Sequence, residues 1–138
     1  MILPDRIKHF VQVTLGCTCP EEVFRTVDVR RNVPLNSFIA LDCVLIVGNR
    51  LLIYIADAGT EGCVEEHLPI LVRRGKEERD GKVLKRFRLV LVADEPREIR
   101  QSADRLFEEL RGGDEKVHLH VIKKNDLFFT VEVAGNAE

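Results

Sequence analysis

The sequence is poor in aromatic residues, with seven Phe, one Tyr and no Trp among its 138 residues. Its Lys and Arg residues form no long stripe, and the formal net charge is only -2. Proteins that bind nucleic acid need clustered cations for the phosphates and, for single strands, aromatic rings on which bases stack. These shortages argue against nucleic acid as the main partner.

Long apolar runs are also missing, since none approaches the roughly 18 residues that a membrane-spanning helix needs. Residues 1–6 lack the basic head and long apolar middle of a signal peptide. We therefore expect a cytoplasmic protein with no membrane partner. Thiols stay reduced in that compartment, so the four cysteines are not expected to form a disulfide scaffold.

The apolar run at residues 89–93 predicts an interior strand, because both of its faces can be buried. A helix start follows, with Pro96 in its first turn and an apolar stripe from Ile99 to Leu110 at helical spacing. Further strands are predicted over 51–56 and 117–122, with a helix starting near Glu61. The series predicts a parallel βαβαβ portion over about residues 51–122.

Antiparallel hairpins are predicted on both sides of this portion, over residues 37–57 and 117–133. In the first hairpin, Gly48 and Asn49 predict a two-residue loop that sets Cys43 opposite Tyr54. Residues 7–15 alternate in strand fashion and predict an additional, first strand. The fold class expected is a single α/β domain over residues 1–138, with two or three layers and a mixed sheet.

Two segments are predicted to be poorly ordered. Residues 73–82 contain eight charged residues and two glycines, which predicts a mobile, solvated loop. Residues 134–138 are predicted to be a frayed end. The strand expected over 127–133 is an exposed edge, which favours a homo-oligomer or a protein partner that covers it.

The main chemical signal is the pair of thiols at Cys17 and Cys19, one residue apart, directly before Pro20. Pro20 and the two acids after it predict a short helix, and a helix N-terminus stabilises a thiolate. Such a pair can exchange electrons or bind a soft metal such as zinc. The alternative is that two small residues fill a tight turn.

Cys63 follows the predicted strand at 51–56 and lies in the first turn of the next helix. If the first strand runs parallel to the others, Cys17, Cys19 and Cys63 emerge with Asp57 and Asp94 at one edge of the sheet, where open α/β sheets bind ligands. Cys17, Cys19 and Cys63 are then the candidate metal ligands. If the first strand is antiparallel, the cluster dissolves.

The turn after residue 56 is a second candidate for binding a cofactor. Glycines allow a backbone to approach phosphate oxygens, although the lysine and spacing of a P-loop are missing. A plain strand-to-helix turn is the alternative. The candidate cofactor-binding residues at this edge are Asp57, Gly59, Thr60, Gly62 and Asp94.

Three further residues have simpler interpretations. His118 and His120 share one face of a predicted strand and could chelate zinc, but an ordinary polar face explains them too. Cys43 lies in the middle of an apolar strand and is interpreted as a core residue.

Two functional hypotheses follow from the sequence. In the first, Cys17 and Cys19 serve thiol redox exchange or metal binding. In the second, the protein is a non-catalytic binding or assembly module whose cysteines are structural. Neither a substrate nor a reaction is indicated, and enzyme activity is left open.

Overall fold

The computed structural model describes residues 4–17, 20–35, 39–58, 61–123 and 126, excepting the side chains of residues 4, 5 and 61–63. The strands of this part form one five-stranded sheet in the order β1-β2-β3-β4-β5. Strands β1 to β3 pair antiparallel and β3 to β5 pair parallel, which confirms the mixed α/β sheet and its parallel portion. The strands are β1 Val27–Pro34, β2 Ala40–Val47, β3 Leu51–Asp57, β4 Arg86–Ala93 and β5 Val117–Lys123.

Helices cover both faces of the sheet, so the domain has three layers. The long helices α2 (Glu61–Gly81) and α3 (Pro96–Arg111) pack on one face through residues such as Leu68 and Phe107. The opposite face is covered by α1 (Pro4–His9), a π-helical continuation (Phe10–Thr14) and a 3₁₀ turn (Glu21–Arg25). None of the helices in the described ranges is long and apolar enough to cross a membrane.

The first strand predicted over residues 7–15 is wrong, because this segment is helical. Its buried residues are Ile7, Phe10, Val11 and Leu15, which recur at helical spacing, whereas Val13 is 64% exposed. Burying the stripe against the sheet therefore requires a helix rather than an alternating strand.

The register predicted for the hairpin of β2 and β3 is also wrong, by one residue. The loop has three residues, and the Arg50 amide donates to the Val47 carbonyl at 3.1 Å. Cys43 consequently lies opposite Ile55, and Val44 lies opposite Tyr54. A one-residue change exchanges the faces of the sheet, so Tyr54 faces α2 while Cys43 faces the N-terminal helices.

The mobile loop predicted over residues 73–82 is wrong too, because α2 continues through Pro69 to Gly81. Three of its charged residues, Lys76, Glu78 and Arg79, are at least partly buried. Lys76 donates to the Leu110 and Arg111 carbonyls at the end of α3, at 3.3 and 2.8 Å, and Arg79 forms an ion pair with Asp114 at 2.8 Å. A cation at a helix C-terminus is favourable because the last carbonyls there lack partners.

Toward the end of the chain, the structure describes α3 and β5 but not the segments predicted after residue 126. Helix α3 ends at a left-handed Gly112, with φ of 60°, and β5 follows as expected. The second strand of the hairpin predicted over 117–133, and the frayed end at 134–138, lie outside the described residues.

Candidate functional site

Cys17 lies where the N-terminal helical segment ends and the chain turns toward the sheet. The Cys17 amide donates to the Val11 carbonyl at 3.0 Å, and Gly16 before it has a φ of +69°, a conformation that glycine adopts without strain. The Cys17 side chain is only 9% exposed, and its sulfur is in a disulfide. The expectation of reduced thiols therefore does not hold for Cys17 in this structure.

A cavity of about 270 Å³ lies beside Cys17, at the edge of the sheet where β3 and β4 begin. Its apolar wall comes from the N-terminal segment and the first hairpin, through residues such as Val23 and Val47. Four cationic residues also line the cavity: Arg50, Lys85, Arg86 and Arg88.

Strand pairing brings these cations together. The Arg50 carbonyl accepts hydrogen bonds from the amides of both Lys85 and Arg86, at 2.8 and 3.1 Å, so the ends of β3 and β4 are held side by side. Arg50, Lys85 and Arg86 are exposed and form the mouth of the cavity. Arg88, two residues after Arg86 in β4, is half-buried.

Among the described residues, no carboxylate lines this cavity and none of the four cations forms an ion pair. Burial and the nearby charge of Arg86 both lower the pKa of Arg88 from its usual value. The site is therefore electropositive and uncompensated by protein carboxylates, which favours an anion.

Arg88 is held in place by two contacts. Its guanidinium Nη1 donates to the Leu15 carbonyl at 3.2 Å and lies 2.8 Å from Nε2 of His120. It thereby connects the N-terminal segment to β4 and β5. Its Nε is buried and has no hydrogen-bond partner among the described residues.

His118 and His120 share a face of β5, as predicted, and Arg88 lies on the neighbouring strand beside them. Burial first, and then the charges of Arg88 and His118, lower the pKa of His120 to about 4. Burial and nearby arginines also lower the pKa of His118. A neutral His120 accepts the Arg88 hydrogen bond, and the guanidinium at its Nε2 disfavours zinc there.

The prediction of one common rim is wrong for Cys17. Asp57 and Asp94 follow the carboxyl ends of the neighbouring parallel strands β3 and β4, and Cys63 lies in the first turn of α2 beyond β3. Cys17 lies at the amino end of the same strands, across the length of the sheet. The shared metal site of Cys17 and Cys63 thus loses its geometric basis, and the described residues contain no group of three or more metal-ligating side chains.

The carboxyl edge of the sheet has a smaller cavity, of about 110 Å³, lined by Asp57, His67 and apolar residues of α2. Asp94 is exposed between β4 and α3. Gly59 and Thr60, the glycine-turn candidates, lie outside the described residues, and Gly62 belongs to the first turn of α2. Cofactor binding at this edge remains a prediction.

The remaining thiol, Cys43, is fully buried within β2 and free. Burial raises its pKa to about 12, against a smaller opposing effect of Arg31. A thiol that stays protonated in the core is inert, which agrees with its interpretation as a core residue.

The comparisons with known proteins add no assignment, since no family model, curated protein or solved structure matches the chain. The site is therefore defined by its geometry alone. Sequence reasoning found Cys17 but missed the four cations. Their signal was present: Arg50, Lys85, Arg86 and Arg88 all stand at the amino ends of two strands that were predicted to be parallel neighbours.

Proposed function

We propose that the protein is a thiol–disulfide redox protein in which Cys17 and Cys19 form the exchanging pair. The observation that carries the proposal is that Cys17, which is in a disulfide, lines a cavity with four cations and, in the part of the chain that the structure describes, no carboxylate. Cations beside a sulfur stabilise its thiolate, which is the reactive and the departing form in exchange.

Cys19 is proposed as the second cysteine on grounds of topology. Cys43 is a free thiol within β2, and Cys63 lies beyond the opposite end of β3. A seven-residue strand is about 20 Å long, whereas the Cα atoms of a disulfide are roughly 4.4–6.8 Å apart. Cys19, two residues along the chain, is the partner within reach.

Exchange would proceed in two balanced steps. A thiolate of a reductant attacks the Cys19 sulfur, which breaks the disulfide and expels Cys17 as a thiolate into the cationic cavity. A second reductant thiolate attacks the mixed disulfide and releases Cys19, so two thiols are oxidised to one disulfide while the protein gains two electrons and two protons. Because Cys17 is buried, its role is that of the leaving group.

Metal binding by the same pair is less well supported. Zinc requires thiolates, and Cys17 is oxidised in this structure. Four uncompensated cations also repel a divalent metal ion. The sequence indicated redox exchange and metal binding as two alternatives for this pair. We prefer redox exchange for these reasons.

The proposal extends to location and partners. We place the protein in the cytoplasm, where disulfides are usually transient and catalytic or redox-sensing, and we propose no nucleic-acid partner because the net charge is near zero and aromatic residues are scarce. A homo-oligomer is proposed only through the edge strand expected over residues 127–133. The other edge, β1, carries Asp28, Arg31 and Pro34, which discourage pairing with another strand.

The test is a redox titration of the full chain in glutathione buffers, read by the mass of alkylated protein. We expect two thiols to become alkylatable together, in the wild type and in Cys63→Ser. Cys17→Ser and Cys19→Ser should each abolish the transition. A Cys17 disulfide that resists all buffers until the protein unfolds would overturn the proposal and favour a binding or assembly module with structural cysteines.

A further inference from the structure

The cationic cavity also indicates what kind of molecule reacts with the disulfide. We infer that the cavity binds the carboxylate of a small anionic thiol and that such a thiol is the reductant of the Cys17 disulfide, an inference that rests on the proposed function. The three exposed cations at the mouth, Arg50, Lys85 and Arg86, would attract the anion, and Arg88 would meet it deeper inside.

Charge argues for an anionic ligand rather than a neutral one. Cations crowded without ion pairs repel one another: burial first, and then the charge of Arg86, lower the pKa of Arg88. A carboxylate relieves that repulsion and accepts charge-assisted hydrogen bonds from guanidinium groups. The buried, unpartnered Nε of Arg88 adds a donor that the described residues leave unsatisfied.

Size argues for a small ligand. The cavity volume of about 270 Å³ lies just below the range of roughly 300–1,000 Å³ that is usual for pockets holding drug-sized molecules. It suits a thiol with one or two carboxylates, but is too small for a folded partner. Because Cys17 lines the same cavity, a bound carboxylate brings its own thiol to the disulfide and raises the local concentration of the reductant.

The kinetic test compares three small thiols that differ in charge: 3-mercaptopropionate, 2-mercaptoethanol and cysteamine. The rate of disulfide reduction is measured for each and divided by the thiolate concentration. We expect the carboxylate thiol to be faster than the neutral one by about fivefold or more, and the cationic one to be slowest. The advantage should shrink in 0.5 M NaCl, because salt screens exposed charges.

Variants assign the effect to the cavity. Lys85→Gln and Arg86→Gln change exposed residues at the mouth and should each remove most of the advantage of 3-mercaptopropionate. Arg105→Gln removes the same charge from the exposed surface of α3, on the other face of the sheet, and should leave the advantage intact. Equal rates for the three thiols, or equal effects of all three variants, would overturn the inference.

A binding measurement separates this inference from the proposed function. The thioether 3-(methylthio)propionate carries the carboxylate but cannot reduce a disulfide. We expect it to shift the amide NMR signals around Arg50 and Arg86, with inorganic phosphate as a competitor that reports any preference for phosphate. Binding without reduction by any thiol would overturn the redox function and the reductant assignment but keep the anion site, whereas reduction without binding or charge selectivity would overturn the anion site alone.

Discussion

The guanidinium of Arg88 lies 2.8 Å from Nε2 of His120, across the parallel pair of β4 and β5. The contact requires a neutral imidazole, because a protonated ring has no free lone pair to accept the hydrogen bond. This hydrogen bond holds Arg88, the one half-buried cation among the residues described around the cavity. Arg88 also donates to the Leu15 carbonyl, in the segment that leads to Cys17. The site is therefore coupled to the protonation of His120.

This coupling predicts a pH dependence of stability. The folded-state pKa of His120 is lowered to about 4, below the usual value of 6.5, so the unfolded chain binds a proton more readily between these limits. Stability present above pH 6.5 is lost as the pH falls toward 4. His120→Gln keeps an acceptor for Arg88 but does not titrate, and it should lose about 1–3 kcal/mol less over this range than the wild type.

The measurement is urea unfolding at several pH values between 7 and 4, with His9→Gln as the control because His9 is exposed on α1. The free energy of unfolding of His9→Gln should change with pH as that of the wild type does. If the free energy of unfolding changes with pH in the same way for the wild type and for His120→Gln, the half-buried, neutral state of His120 is contradicted.

A second prediction concerns Glu78, which joins α2 to the sheet. Its carboxylate accepts from the Tyr54 hydroxyl at 2.5 Å and pairs with Arg30 and Lys82, each at 2.7 Å. Glu78→Gln should lower the free energy of unfolding by about 1–3 kcal/mol, because charge-assisted bonds are lost in a half-buried network. Glu77→Gln changes an exposed neighbour in the same helix and should cost less than about 0.5 kcal/mol.

The pH dependence of this pair of variants checks the mechanism. Burial opposes ionisation of Glu78, but hydrogen bonds from Lys82 and Tyr54 outweigh it and lower the pKa below the usual 4.5. The stabilisation is therefore present above pH 4.5 and is lost as the pH falls further. The difference between wild type and Glu78→Gln, measured by urea unfolding, should narrow below pH 4.5. A constant difference would contradict the ionised network.

A third prediction tests the close packing of α2 on the sheet. A Cβ added at Gly75 would come within 2.1 Å of the Phe87 ring, whose edge-to-face partner Tyr54 has its centroid 5.0 Å away. Gly75→Ala should therefore destabilise the protein by about 1–3 kcal/mol through overpacking. Gly81→Ala, with nothing within 4 Å of the added Cβ, is the matched control and should be neutral or slightly stabilising. Equal melting temperatures for the two variants would contradict the contact.

The sequence predicted the parallel portion well because its strands are continuous apolar runs separated by capped helical stripes. It failed at Ile7–Leu15, where the spacing of Ile7, Phe10 and Val11 suits a helix but the alternation of Val11, Val13 and Leu15 suits a strand. Only packing against the sheet decides between them. The charges of residues 73–82 led to the wrong prediction of a loop for a similar reason. Lys76, Glu78 and Arg79 have partners 24 or more residues away in the chain, and local composition does not reveal such partners.

The candidate site was half predictable. Cys17 was identified from its spacing to Cys19, but the error at the first strand put it at the wrong end of the sheet. The cations beside it come from the loop before β3, from the segment before β4 and from β4 itself, and only strand pairing makes them neighbours. Asp57 and Asp94 were placed correctly because a parallel strand order fixes which ends meet.

The most direct test of the cationic Cys17 site is the pH profile of Cys17 alkylation in the reduced, folded protein, followed residue by residue by mass spectrometry. The account predicts that the pKa of the Cys17 thiol lies clearly below the free value of roughly 8.5. This pKa should rise toward the free value in Arg86→Gln and stay unchanged in Arg105→Gln. A Cys17 that titrates at or above the free value, unchanged by either substitution, would contradict it.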